Sequence, residues 1–200
     1  ARRKKRSRES ILNRINFYKK KISEIEYYEL FLDSLKYGES HDNKNKLESI
    51  IELKDEVEEY ICIKKNSNSK RKKDPSTNIK EVLSPSGLKI QIGGNNRQNE
   101  LISLRKGKKG DLWFHAQDSP GSHIVLKSSN GLVDEKDIQL AADLASLFSR
   151  ARGNKLVPIF MVPIENLQRI SGSLPGTVSH RGGKVLWGRA ERAEKYFYHK

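Results

Sequence analysis

The spacing of apolar residues changes near residue 79 and divides the chain into two parts. From about Glu9 to Tyr37, apolar residues recur at alternating steps of four and three, which is the heptad pattern of a coiled-coil helix. A second helical pattern runs from about Lys46 to Ile61. We therefore predict a helical arm over residues 1–63. Because one heptad helix cannot bury its own apolar stripe, we expect the arm to pair with a helix upstream of this chain.

The second part follows a segment of low complexity. Residues 64–78 are basic and polar and contain Pro75, so we predict a flexible linker there. Beyond it, short alternating apolar runs favour strands, including one over Leu101 to Leu104. The pattern from Glu135 to Arg152 favours one long amphipathic helix. We predict an α+β domain over residues 79–200, with a mixed β-sheet and this helix.

The charge of the chain narrows the class of partner. Its 200 residues include 39 Lys and Arg against 25 Asp and Glu, a formal net charge of +14. An excess of this size favours a polyanion, most commonly nucleic acid. Cys62 is the only cysteine, which excludes a disulfide framework and suits a reducing interior. No apolar run approaches the roughly 20 residues that span a bilayer, so no membrane segment is predicted.

Two adjacent predicted strands carry the side chains with the most chemistry. Residues 111–126 read D-L-W-F-H-A-Q-D-S-P-G-S-H-I-V-L. This pattern predicts a strand with Trp113 and His115 on one face, a Pro-Gly turn, and a second strand that begins at Ser122 and His123. An indole, two imidazoles and a hydroxyl would then meet around one turn. Such a group can stack on bases and bind phosphate or ribose, although a tryptophan on a strand can equally belong to the core.

The same stretch allows two catalytic interpretations. Asp111, His115 and His123 are metal-ligand types, although no H-x-x-x-H or H-E-x-x-H spacing accompanies them. Asp111, Ser122 and His123 have the elements of a nucleophilic triad. However, there is no G-x-S-x-G elbow, and adjacent residues on a strand point to opposite faces. A metal-dependent enzyme is the stronger of these two alternatives.

Polar and basic residues on either side complete the candidate surface. The segment G-G-N-N-R-Q-N (93–99) is a Gly-rich turn, and it is not a Walker loop because no G-K-[ST] follows. Either Asn95 and Asn96 cap this turn, or the segment Asn96, Arg97, Gln98 and Asn99 donates to a phosphate–sugar backbone. Further cations precede Asp111 or end the long helix: Arg105, Lys106, Lys108, Lys109, Arg150 and Arg152.

From Gly87 onward the sequence resembles the RNA-binding NFACT-R domain of the NFACT family. Five blocks occur in order, namely G-L-K-I-x-I-G-G-N-N-R-Q-N-E at 87–100, D-L-W-F-H-A at 111–116, P-G-S-H-I-V-L at 120–126, A-A-D-L-A-S-L-F-S-R-A-R at 141–152 and P-G-T-V at 175–178. The helical arm and linker are similar to the returning arm of that family's coiled coil. The sequence departs from the family pattern at Gly94, where relatives usually carry Lys or Arg.

The resemblance implies a cytoplasmic protein that is not an enzyme and uses no cofactor or metal. It implies binding to the large ribosomal subunit (rRNA) with stalled peptidyl-tRNA, and recruitment of tRNA for C-terminal tailing of nascent chains. The upstream modules that recognise tRNA in the family are not in this chain. Some family members are labelled fibronectin-binding, so a protein-interaction module stays open as an alternative.

The expected RNA contacts combine these observations, with residues 111–123 as the RNA-facing or fold-defining centre. The predicted set is Asn96, Arg97, Asn99, Arg105, Lys106, Lys108, Lys109, Trp113, His115, Ser122, His123, Arg150 and Arg152.

Overall fold

A computed structural model describes residues 2–34, 43–61, 79–171, 173 and 175–198. Two long helices, α1 (Arg2–Ser34) and α2 (Asn43–Ile61), form the predicted arm. Their contact is a buried cluster made of Tyr27, Tyr28, Phe31 and Leu53, with Val57 packed against it. The predicted linker over residues 64–78 lies outside the described residues. In the parts of the chain that the structure describes, no helix combines the length and apolar character that crossing a membrane requires.

The domain after the linker is built on a six-stranded sheet with the order β1-β2-β4-β3-β5-β8. Its strands are β1 (Lys80–Leu83), β2 (Lys89–Ile92), β3 (Leu112–Ala116), β4 (Ile124–Leu126), β5 (Val157–Pro163) and β8 (Lys184–Gly188). A separate pair joins β6 (Leu167–Arg169) to β7 (Val178–His180). The α+β class is confirmed. Every described pairing is antiparallel, so the sheet is not mixed.

One face of the sheet packs against helices. The helix α4 (Glu135–Leu147) begins at a capping box, in which the Asp134 side chain accepts from the Lys136 amide and the Asp137 carboxylate accepts from the Asp134 amide. It ends earlier than predicted, and a 3₁₀ turn follows over Arg150–Gly153. A further helix, α5 (Ala190–Tyr198), packs beside α4. The shared core includes Ile90, Phe114, Ile124, Leu144 and Ala193.

Part of the other face is covered by a short helical segment instead of a strand. The helix α3 (Asn96–Glu100) begins where the Asn95 side chain accepts from the Gln98 amide at 2.7 Å. It continues into a π-helical turn, Leu101–Arg105, so the predicted strand over Leu101 to Leu104 was wrong. This turn and the β6–β7 pair close a second core cluster of Ile102, Trp113, Val125, Val162, Ile164 and Leu167.

Candidate nucleic-acid interface

The predicted meeting of an indole and two imidazoles is present. The ring centroids of Trp113 and His115 are 5.5 Å apart and nearly parallel, and that of His123 lies 5.0 Å from Trp113 and 5.3 Å from His115. However, Trp113 is only 3% exposed and His123 only 4%, because the π-helical turn covers them. His115 is partly exposed. The block is therefore fold-defining at Trp113 and His123, and these two side chains do not lie on an RNA-facing surface.

Hydrogen bonds fix this cluster from within. The His123 ring lies 2.8 Å from the Ser103 hydroxyl through Nδ1, and its backbone amide donates to the Asn99 side chain at 3.0 Å. Ser122 is also buried, and its amide donates to the Phe148 carbonyl at 2.9 Å. Ser103 is a partner that the sequence analysis missed, because a strand was predicted where the chain forms a helical turn.

The surrounding protein desolvates the two imidazoles and disfavours their charged forms. Desolvation lowers the pKa of His115 to about 4, and backbone hydrogen bonds at Gly121 and Ala116 oppose the shift only in part. Desolvation also lowers the pKa of His123 well below its ordinary value, and repulsion from His115 adds to the effect. Both rings are therefore neutral at pH 7, and neither offers a phosphate group a positive charge.

The structure does not assemble the metal centre considered at Asp111, His115 and His123. Among the described residues, no group of three or more His, Cys, Asp or Glu is placed to hold a metal ion. Asp111 is fully buried and pairs with the Lys127 ammonium, and it also accepts from the Ser129 hydroxyl at 2.6 Å. The nucleophilic triad of Asp111, Ser122 and His123 does not form either, because the Asp111 carboxylate is engaged by Lys127 and Ser129.

Asp111 instead anchors the basic loop that precedes it. Its carboxylate accepts from the Lys108 backbone amide at 2.9 Å, and Lys127 donates to the Lys106 carbonyl at 3.0 Å. Burial alone would raise the pKa of Asp111, but the hydrogen bonds from Lys127, Ser129 and Lys108 outweigh it and hold that pKa below its ordinary value. The loop therefore rests on a buried, ionised carboxylate.

The Gly-rich turn at 93–99 faces the helical arm. Asn99 is buried, and its amide donates to the Tyr27 hydroxyl of α1 at 3.0 Å. Gln98 donates to the Glu52 carboxylate of α2 at 3.3 Å. A β-carbon at Gly94 would lie 2.5 Å from the Phe31 ring, so the glycine permits α1 to approach. The Asn99 side chain, which the sequence predicted to contact RNA, therefore binds the helical arm.

The neighbouring predicted residues lie beside this contact. Asn96 and Arg97 on α3 are both half-buried. The Arg97 charge acts on Glu52, whose pKa is raised because desolvation outweighs the Gln98 hydrogen bond and the Arg97 attraction. The Arg97 guanidinium thus has an electrostatic partner within the molecule.

The two arginines after α4 also pair with α1. Arg150 lies 3.1 Å from the Glu29 carboxylate and 3.6 Å from that of Glu26. Arg152 lies 2.6 Å from the Asp33 carboxylate. These guanidinium groups join the domain to the arm. In the fold their partners are carboxylates of α1, whereas the sequence predicted that they would contact RNA.

The loop over residues 105–109 keeps its cations exposed. Arg105 is exposed at its tip but lies 3.1 Å from the Glu100 carboxylate. Lys106, Lys108 and Lys109 are exposed, and within the described ranges none of them forms a salt bridge. Of the predicted cations, these three lysines are exposed without a salt bridge to a described residue, and the Lys106 charge also acts on the Glu81 carboxylate. Lys108 and Lys109 are therefore the cations best placed to meet an external anion.

Comparisons with known proteins show a family and a fold that this chain shares. The profile of the NFACT protein RNA binding domain matches residues 80–182. The chain is 34% identical to the Rqc2 homolog RqcH of Bacillus subtilis (strain 168) over 157 residues, which cover 78% of this chain and 26% of that protein. It is also 34% identical to the protein of that name from Streptococcus pneumoniae serotype 2 over 168 residues, which cover 82% and 29%.

A solved structure is similar over nearly the whole chain. The C-terminal part of the fibronectin/fibrinogen-binding protein from Streptococcus suis matches with a TM-score of 0.74 and 30% identity. The match covers 96% of this chain and 73% of that chain. The chain thus spans less than a third of the two curated relatives described above but most of this structure.

Proposed function

Because the chain belongs to the NFACT family, we propose that its RNA-binding domain serves a ribosome quality control protein by holding ribosomal RNA or tRNA. In that role the whole protein binds the large ribosomal subunit with stalled peptidyl-tRNA and recruits tRNA for C-terminal tailing. The present chain supplies binding and no catalytic step, uses no cofactor, and works in the cytoplasm. Support comes from the RNA-binding profile and from relatives named Rqc2 homolog RqcH.

The observation that carries the proposal is the exposed cationic loop at residues 105–109. None of its three lysines forms a salt bridge in the described parts of the chain, and the buried Asp111 fixes the backbone beneath them. The Lys106 charge also acts on Glu81, which leaves Lys108 and Lys109 as the lysines best placed to meet an external anion. Lysines of this kind bind phosphates without reading sequence and release counterions as they do so. The loop therefore suits structured RNA of any sequence.

The arm adds a second element to the proposal. On α1 the apolar residues Ile11, Ile15, Tyr18, Ile22 and Ile25 are between 43% and 56% exposed, along the face that the heptad pattern defines. Such a stripe is stable in water when a second helix covers it. We propose that an upstream helix of the complete protein packs there and completes an antiparallel coiled coil.

Salt-dependent RNA binding tests the function. The purified chain would be titrated into a labelled RNA hairpin, with anisotropy measured from about 50 to about 200 mM salt. Replacing Arg105, Lys106, Lys108 and Lys109 with Ala should lower the affinity and flatten the salt slope by about 1 for each lysine that contacts phosphate.

A matched control removes the same charge from cations that already have partners. In the variant K21A/K54A/K89A/R169A, each replaced residue pairs with a carboxylate in the fold and is none of the predicted RNA contacts. This control should retain most of the salt dependence of RNA affinity. Equal affinity and slope in the two variants would show that the loop is not the RNA contact.

A second candidate function follows from the similarity to the Streptococcus suis protein, which is described as fibronectin/fibrinogen-binding. Binding of the chain to immobilised fibronectin, with the loop variant alongside, separates this candidate from the first. Fibronectin binding without RNA binding would favour it.

A further inference from the structure

The two tryptophans of the chain lie on the same side of the sheet but differ sharply in exposure. Trp113 on β3 is 3% exposed, whereas Trp187 on β8 is 57% exposed. Val185, two residues before Trp187 and on the same face of β8, is 47% exposed. Trp187 also lies outside residues 80–182, the part that matches the RNA-binding profile. Large exposed apolar groups that adjoin one another mark interaction sites more often than isolated ones do.

Strand register shows that Trp187 belongs to a continuous surface. Pro158 on β5 is opposite Trp187, and Phe160 is opposite Val185. Residues directly opposite each other in antiparallel strands share a face. The alternate residues of these strands, including Met161 and Leu186, pack with α4 on the far side. We call Pro158, Phe160, Val185 and Trp187 the open strip.

The open strip continues the covered part of the same face. Next to Phe160 on that face lie His115, opposite it on β3, and His180, whose ring centroid is 4.7 Å away. The π-helical turn and the β6–β7 pair cover Trp113 and Val162, but Pro158 and Phe160 remain partly exposed. The fold thus leaves an aromatic surface uncovered at the edge of its sheet.

A shallow pocket at the end of the open strip adds hydrogen-bonding groups. Pro158, Val185 and Trp187 line it together with the residues Gln117, Asp118, Ser119, Arg150 and Asn154. The carboxylate of Asp118 and the engagement of Arg150 by Glu29 make this rim unfavourable for phosphate. The amides can instead pair with the edge of a nucleobase, which offers both donors and acceptors.

Charge after the end of β8 suits the backbone of the same nucleotide. Arg189 directly follows the strand, two residues after Trp187, and it is exposed. It forms no salt bridge with another described residue. An indole platform beside a cation and a rim of amides is an arrangement that binds single-stranded nucleic acid, with stacking on the ring and phosphate on the basic group.

We infer that the open strip is a stacking site for unpaired nucleotides of RNA, with Trp187 as the platform. The inference rests on the proposed function, since it takes RNA as the partner. It adds a preference that the lysine loop alone does not provide. A duplex hides its base faces, whereas a loop or a bulge presents them, so the open strip selects RNA with unpaired bases.

Two RNA probes and three variants test the inference. One probe is a hairpin with a single-stranded loop of about eight nucleotides, and the other is a blunt duplex with the same stem. Trp187→Ala should weaken binding to the hairpin about tenfold and leave duplex binding unchanged. Trp187→Phe should keep most of the hairpin affinity because it keeps an aromatic face.

The third variant, Leu132→Ala, is the matched control. Leu132 is 95% exposed and lies outside the open strip, so its loss removes an exposed apolar side chain without touching the site. It should bind both probes like the original chain. Because Trp187 is exposed, its replacement should also leave the melting temperature nearly unchanged.

Tryptophan fluorescence gives an independent readout. Trp113 is buried and Trp187 is exposed, so stacking on a base should quench emission from Trp187 and protect it from acrylamide when the hairpin is added. The quenching should vanish in Trp187→Phe, which retains Trp113.

The outcomes separate this inference from the proposed function. Unchanged hairpin affinity in Trp187→Ala, without quenching in the original chain, overturns the stacking site; salt-sensitive binding of both probes through the lysine loop would still support RNA binding. Failure of the original chain to bind either probe overturns both. The first of these outcomes would favour a protein as the partner of the open strip.

Discussion

Arg150 and Arg152 form salt bridges with carboxylates of α1, whereas Lys106, Lys108 and Lys109 are exposed in a loop and form no salt bridge among the described residues. In the sequence the two groups are equally basic. In the fold the first joins the arm to the domain, and the second is free for an external anion. The difference shows that net charge indicates a polyanionic partner, but only the fold shows which cations can reach it.

The largest expected effect concerns the carboxylate under the free loop. Asp111→Ala leaves the Lys127 ammonium buried without its partner, which should cost about 3–5 kcal/mol of stability. Urea unfolding of the variant measures this loss. As a control, Glu165→Ala removes an exposed carboxylate that contacts the same loop at Gly110, and it should change stability by about 0.5 kcal/mol or less. A loss as small as the control's would mean that Asp111 does not anchor the loop.

A pH dependence of stability is the next largest effect. The pKa of His115 falls from 6.5 to about 4 on folding, so the unfolded chain binds more protons between these values. Stability should therefore decrease as the pH falls from about 6.5 to about 4, by up to about 1.4 kcal/mol per pH unit for this histidine.

Chemical denaturation at several pH values, with His115→Asn for comparison, measures this dependence. The variant should lose one histidine's share of the slope, while His123 continues to contribute. An unaltered slope in the variant would place the titration elsewhere in the molecule.

The smallest expected effect concerns the paired cations. Arg152 and Asp33 are each about one-third exposed, so a double-mutant cycle with Arg152→Ala and Asp33→Ala should give a coupling of about 0.2–1 kcal/mol. Arg152→Ala should also leave RNA affinity nearly intact. A loss of affinity as large as that of the loop variant would show that this guanidinium leaves Asp33 and contacts RNA.

The sequence was most informative where structure depends on local pattern. The heptads of α1 and the apolar face of α4 follow from spacing within each helix, and the motif blocks from Gly87 onward indicated the family. The linker and the set of RNA contacts remain predictions. The short apolar run at Leu101 was ambiguous, because a strand and a buried helical turn share that pattern.

What could not be predicted depends on partners distant in the chain. Alternation placed Trp113 on one face of a strand, but it could not show that Ile102 and Leu167 would cover that face. Similarly, the partner of Arg150 lies 121 residues earlier, on α1. Trp187 was overlooked because no chemical motif surrounds it, and its exposure appears only once the sheet order leaves β8 at an edge.

The side chain of Asn99 has a mechanical consequence. Its nitrogen holds the Tyr27 hydroxyl of α1, and its oxygen holds the backbone amide of His123, just before β4. A single amide thus couples the arm to the centre of the sheet. A tilt of α1 would displace this amide and with it the backbone of His123. A force on the arm would therefore change how the His123 ring packs against His115.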